Sequence, residues 1–174
     1  MAFARLFGHP PEKIAAAAVH RAAVDQARQV PFYAEHGVPD TLDGRFEMIV
    51  LHTFLVLHRL RGLAEAQKFN QALYDVLFAD MDRALREMGT GDLSVGKQVK
   101  RMAEGFAGRI RAYQDGLAGI GDLGEALKRN VYGTVAARDE DVAFMADYLR
   151  RQAAVLAGQE AATIIAGTVA FAPI

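Results

Sequence analysis

Apolar positions recur every three to four residues along most of this chain and strict alternation is scarce, so the pattern predicts helices almost throughout. Pro10 and Pro11 suit a helix N-terminus, where a missing N–H leaves no bond unmade. The Ala-rich helix that follows, over 14–30, is expected to stop before Pro31. Residues 32–41 contain Gly37 and Pro39 and read as a turn-rich connector. A second helix, capped by Thr41 or Asp43, runs to about Arg61 and closes at Gly62. Its Phe46, Ile49, Val50, Leu51, Phe54, Leu55, Val56, Leu57 and Leu60 leave almost no polar face, which places it in the middle of a bundle.

A third helix over 64–88 carries the stripe Phe69, Leu73, Val76, Leu77, Met81, Leu85 and Met88. After a short turn, Asp92 is an acidic N-cap candidate for the fourth helix, which has the clearest periodicity: Val95, Val99, Met102, Phe106, Ile110, Tyr113 and Leu117. Advancing ~100° per residue gathers Lys97, Lys100, Arg101 and Arg111 on the opposite side, with Glu104 as counter-charge. Glycines 116, 119, 121 and 124 then interrupt the chain. A short helix over 125–131 follows, then a break at Gly133 and a last long helix over 139–157. Asp139, Glu140 and Asp141 at its start and Arg150 and Arg151 further along suit the helix dipole. The apolar residues 161–174 read as a short helix or as an extended strap over the core. With no repeat or long linker, the expectation is a single all-α helical-bundle domain over 1–174, of about five to seven helices.

Composition mainly removes options. The 174 residues carry 20 Lys+Arg against 21 Asp+Glu, so bulk charge does not point to a nucleic-acid partner. The absence of cysteine excludes disulfides, thiolate metal sites and a cysteine nucleophile. The first residues lack the marks of a secretory signal or transit peptide. The longest apolar run, 48–60, is interrupted by His52, Thr53, His58 and Arg59, and falls short of the ~20 residues a membrane span needs. The expected location is therefore cytoplasmic.

Catalytic chemistry is thinly represented. His9, His20, His36, His52 and His58 form no HExxH pair, and His52 and His58 lie on different sides of one helix. Haem ligation by either competes with an ordinary core or boundary histidine. The acidic group Asp75, Asp80, Asp82 and Glu87 lacks the Glu-x-x-His of di-iron bundles and reads as a solvated or ion-paired face. Ser94 suits a helix start, and neither a GxSxG elbow nor a phosphate-binding loop occurs. No catalytic residue, metal or cofactor is expected, although a carboxylate/histidine enzyme is an alternative.

Binding surfaces are more informative. The basic face around Lys97, Lys100, Arg101 and Arg111 reads as a solvated face, or as a contact for acidic protein, phosphate or anionic lipid. On the third helix Phe78 falls among Gln71, Asp75, Asp82 and Arg86. A large aromatic ringed by charge suits an interface anchor or packing against another helix.

The residues Gly37-Val38-Pro39-Asp40-Thr41, then Asp43 to Phe46, Leu51-His52 and Arg59-Leu60, resemble the ubiquinol–cytochrome c chaperone family. The resemblance continues through Gln71 to Leu73, Phe78 to Asp82, Leu85 to Gly89, Gly91-Asp92, Val95 to Lys97, Gly108-Arg109 and Tyr113. It is strongest over 24–131, and departs at Ala107, where members commonly carry an aromatic, and at Thr90, where Val is frequent. The resemblance implies an all-helical, non-catalytic assembly chaperone that binds newly made cytochrome b for the ubiquinol–cytochrome c reductase, with a small assembly partner in mitochondrial members. A bacterial member would act on the cytoplasmic side of the inner membrane, with peripheral contact. The expected partner-binding residues are Phe78, Arg86, Lys97, Lys100, Arg101 and Arg109, with Arg45, Asp75, Asp82 and Asp92 as fold-holding candidates. The alternatives are haem handling through His52 or His58 and a scaffold for anionic lipid.

Overall fold

A computed structural model describes residues 11–87, 89 and 92–174, apart from the side chains of Asp92, Leu93 and Gln98. Pro10, Met88, Thr90, Gly91 and the segment read for a leader lie outside the described residues. Helix α1 (Pro11–Ala27) ends ahead of Pro31, as a following proline requires. The connector differs from expectation, because Pro31 occupies the first turn of a short helix α2 (Val30–Ala34), where its missing N–H is harmless.

Helix α3 (Leu42–Arg59) starts at Thr41, whose hydroxyl accepts the Gly44 N–H at 3.2 Å. Every residue from Phe46 to Val56 is buried. Because each fully buried Leu or Phe contributes about 2 kcal/mol, an all-apolar helix is stable only with neighbours on all sides. Those neighbours follow in order. A 3-10 turn (Ala64–Ala66) leads into α4 (Gln67–Glu87), and α5 (Asp92–Leu117) folds back along it. Next come α6 (Leu123–Asn130), capped by Asp122 on the Glu125 N–H, then α7 (Asp139–Ala157) and α8 (Ala161–Ile165). Helix α3 packs on α1, α5 and α7; α4 lies between α1 and α5, and α6 between α5 and α7.

The described residues thus form an all-α fold around α3. The two readings of the final stretch are both realised: α8 is the short helix, and residues 168–174 form a non-helical strap. Val169, Phe171 and Ile174 of the strap pack against the core. Among the described residues no helix is long and apolar enough to cross a membrane.

Candidate partner-binding surface

The inner stripe of α5 is placed as its periodicity requires, with Val95, Phe106 and Tyr113 buried and Val99, Met102, Ile110 and Leu117 packed at their edges. Lys97, Lys100, Arg101, Glu104, Gly108 and Arg111 are therefore turned outward, and all are exposed. At 1.5 Å rise per residue they form a strip about 20 Å long. Lys100 meets Glu104 only at 3.9 Å, with both side chains well exposed, so this pair does little to neutralise the strip. A Cβ built on Gly96 or Gly108 would meet nothing within 4 Å, so the outer surface of α5 is open as well as basic. Ala107, where the resemblance departs, is also exposed.

Arg111 and the α6 residue Arg129 line a cleft of about 380 Å³ between α5 and α6, where Asp115, Asp122 and Glu125 face them. Arg129 also lines a second cleft, of about 300 Å³, together with Phe46, Glu47, Met102, Arg109 and Asn130. Arg129 was not apparent from the sequence, because it comes to the same cleft as Arg111 only after α6 packs on α5.

The other expected contacts are placed differently. Phe78 is only 9% exposed, and Phe106 packs edge-on against its ring at 5.7 Å while Tyr74 lies at 4.5 Å. Helix α5 folds over this part of α4, so Phe78 is a packed residue of the α4–α5 seam and not an aromatic standing on a charged surface. Arg86 makes an exposed i, i+4 pair with Asp82 at 2.6 Å. Arg109 differs most from expectation. Its Nε donates to both carboxylate oxygens of Glu47, at 2.9 and 2.8 Å, and its Nη2 also reaches that carboxylate. Glu47 is a buried charge within the apolar α3, so the bidentate pair is what permits it there. The hydrogen bond to Glu47 raises the Arg109 pKa further, against the opposing effect of burial. A side chain at Gly105 would collide with Nη1 of Arg109, so the glycine clears the path of the guanidinium to α3.

Of the fold-holding candidates, Arg45 pairs with Asp40 at 2.6 Å on the surface, and Asp75 accepts from Gln71 at 2.8 Å. Asp82 holds Arg86, and the Asp92 side chain lies outside the described residues. Asp80 bridges helices by meeting His20 of α1 at 3.2 Å and Arg83 of its own helix. Burial pulls its pKa up, but the hydrogen bonds from Arg83 and His20 outweigh it and leave the carboxyl below its ordinary value. These carboxylates have separate partners, and among the described residues no three His, Asp or Glu side chains gather as a metal site would need.

His52 belongs to a polar chain inside the bundle. Its Nδ1–H donates to the Met48 carbonyl at 2.7 Å, leaving Nε2 to accept from the Tyr148 hydroxyl at 2.8 Å. The Tyr148 oxygen in turn accepts from Gln26 of α1 at 2.9 Å. Burial drives the His52 pKa down to about 4, only partly opposed by the Met48 carbonyl, so the ring is neutral. Burial likewise raises the Tyr148 pKa. Both ring nitrogens being occupied, His52 offers no lone pair to haem iron, and that alternative loses one of its two histidines. His58 is half-buried with its ring tilted against Phe54 at 5.4 Å, and burial lowers its pKa.

Residues 34–171 match the family model described as Ubiquinol-cytochrome C chaperone. The "Ubiquinol-cytochrome-c reductase complex assembly factor 1" of Xenopus laevis is 25% identical over 144 residues, covering 80% of this chain and 71% of that protein. "Protein CBP3, mitochondrial" of Saccharomyces cerevisiae is 30% identical over 107 residues, covering 59% of this chain and 32% of the yeast protein. The chain therefore spans about a third of its yeast relative. The crystal structure of the Cbp3 homolog from Brucella abortus superposes with a TM-score of 0.82 at 34% identity, over 94% of this chain and 91% of that one.

Proposed function

The chain belongs to the ubiquinol-cytochrome C chaperone family, and from that membership we propose that it assists assembly of the ubiquinol–cytochrome c reductase by holding newly made cytochrome b. The observation that carries this reading is the family match over most of the helical bundle. The fold shared with the Cbp3 homolog from Brucella abortus supports it. In this reading the role is non-catalytic, and the interior His52 and Tyr148 serve the fold, each tied to structural partners.

The working surface in this reading is the outer face of α5, with Lys97, Lys100 and Arg101 at one end and Arg111 and Arg129 toward α6. Arginine matches carboxylates bidentately and lysine supplies a mobile point charge, so the strip suits acidic loops of a membrane client. The same charge would favour peripheral contact with an anionic inner-membrane surface during transfer. A small assembly partner would be compatible with the remaining exposed faces.

Deletion of the gene in its host tests the role. Loss of assembled reductase together with depletion of cytochrome b is expected, and both should return with the intact gene. Normal cytochrome b and normal ubiquinol oxidation in the deletion strain would sink the proposal.

A further inference from the structure

Residues 168–172 lie on the bundle in a way that resembles a bound peptide. Gln152 of α7 donates to the Ala172 carbonyl at 2.8 Å and accepts the Ala172 N–H at 2.9 Å. Gln159, in the turn that follows α7, does the same for Ala170, at 2.7 and 2.9 Å. Gln26 of α1 adds a second donor to the Ala172 carbonyl at 3.1 Å. Two side-chain amides, one on α7 and one just past its end, thus pair with alternate peptide groups of the strap, as a neighbouring strand would. Val169 and Phe171, which alternate with Ala170 and Ala172, pack against the core, and Phe171 lies edge-on to His52 at 5.3 Å.

The receiving surface is held independently of the strap. Arg59 of α3 donates to the carbonyls of Leu156 and Gln159, which fixes the end of α7 and the turn that carries Gln159. Tyr148, one turn before Gln152 on the same face of α7, is anchored by His52 and Gln26. The strap itself makes weaker claims on the fold. It enters through Gly167, whose φ of +103° a side chain would strain, and Ala170 is exposed.

We propose that the α1–α3–α7 surface is a binding groove for an extended apolar peptide, occupied here by the chain's own strap. The chemistry of the incoming segment is set by the present occupant. It is uncharged, extended, apolar at alternate positions and recognised mainly through its backbone. Such recognition tolerates sequence variation, because each glutamine reads a peptide group and not a side chain. A hydrophobic segment of a membrane protein has these properties before it inserts. That it comes from an assembly client rests on the function proposed above, whereas the capacity of the groove for such a peptide does not. The strap keeps the groove covered until a competing segment displaces it, and reduces apparent affinity by the fraction of time the groove is closed.

The test uses the full chain and a fluorescent, end-blocked peptide of residues 168–174. Weak binding to the wild type is expected, with affinity rising about tenfold or more in Phe171→Ala, whose strap is loosened. Adding Gln152→Leu or Gln159→Leu to Phe171→Ala should abolish the gain, and a peptide with V169D and F171D should not bind. If Phe171→Ala lowers the helical signal, Ala170→Pro takes its place, since it removes the N–H accepted by Gln159 and restricts the strap backbone while leaving the core side chains in place. Equal or absent binding in a folded strap variant overturns the proposal, as does binding indifferent to both glutamine substitutions. A peptide that exchanges normally alongside normal reductase in the deletion strain would leave the groove standing and the assembly role rejected. The reverse pair of results would reject the groove alone.

Discussion

The α3–α7 seam and the outer face of α5 both carry polar side chains in a mostly apolar sequence, but they dispose of them differently. In the seam His52, Tyr148 and Gln26 complete one another's hydrogen bonds. At the neighbouring α3–α5 contact, Glu47 and Arg109 neutralise each other in the same way. On α5 the cations Lys97, Arg101 and Arg111 face water over an open helix surface. The difference teaches that a polar residue's worth is set by what replaces its water. Inside, protein atoms replace it and the group supports the fold; outside, water remains and the charge is free to meet a partner.

Substitutions at the two regions should therefore separate stability from function. The largest effect is expected from Phe78→Ala, which empties the Phe78–Phe106 contact and should destabilise by about 3–4 kcal/mol in a denaturant titration. A loss below about 1 kcal/mol would return Phe78 to the surface and to partner binding. Arg109→Ala strands the Glu47 carboxylate inside α3 and should destabilise by about 3 kcal/mol. Adding Glu47→Leu should recover most of that loss, because the buried charge is then gone. A double variant as unstable as the single would show that Arg109 acts through its packing over Phe46.

Acid sharpens the comparison. Above pH 6.5 His52 is neutral in both folded and unfolded chains, so it adds no pH dependence there. Between 6.5 and about 4 the unfolded chain takes a proton that the buried ring refuses, and stability falls as pH falls. The contribution of His52 across that window is about 3 kcal/mol. The stability gap between wild type and His52→Gln should narrow by that amount, measured by urea titration at each pH. Parallel curves would mean that the ring is hydrated or protonated in the folded state. The smallest effect on stability, within about 0.5 kcal/mol, is expected from reversing Lys97, Lys100 and Arg101 to Glu together.

Much of the bundle was legible because helix periodicity and turn residues agree with each other. The stripe from Val95 to Leu117 specified both the inner face of α5 and, by exclusion, the outer strip. Phe78 was open to either reading, since a helical wheel gives a direction but not the neighbour that covers it. Arg109 was placed among partner contacts because its acceptor is distant in sequence. The hint lay on the other side: Glu47 stands alone between Phe46 and Met48 in an apolar helix, and a buried carboxylate requires a cation. The glutamine clamp on the strap had no comparable signal. Gln152 on α7 and Gln159 just past its end look like ordinary polar positions until residues 168–172 fold over them.

The division of labour between interior and outer strip is tested most directly by complementing the deletion strain with the chain in which Lys97, Lys100 and Arg101 are all Glu. Assembled reductase would be quantified beside the melting temperature of the purified variant. The expected result is an unchanged melting temperature with reductase no higher than in the deletion. Full restoration of reductase by this variant would contradict the assignment of the α5 strip as the working surface.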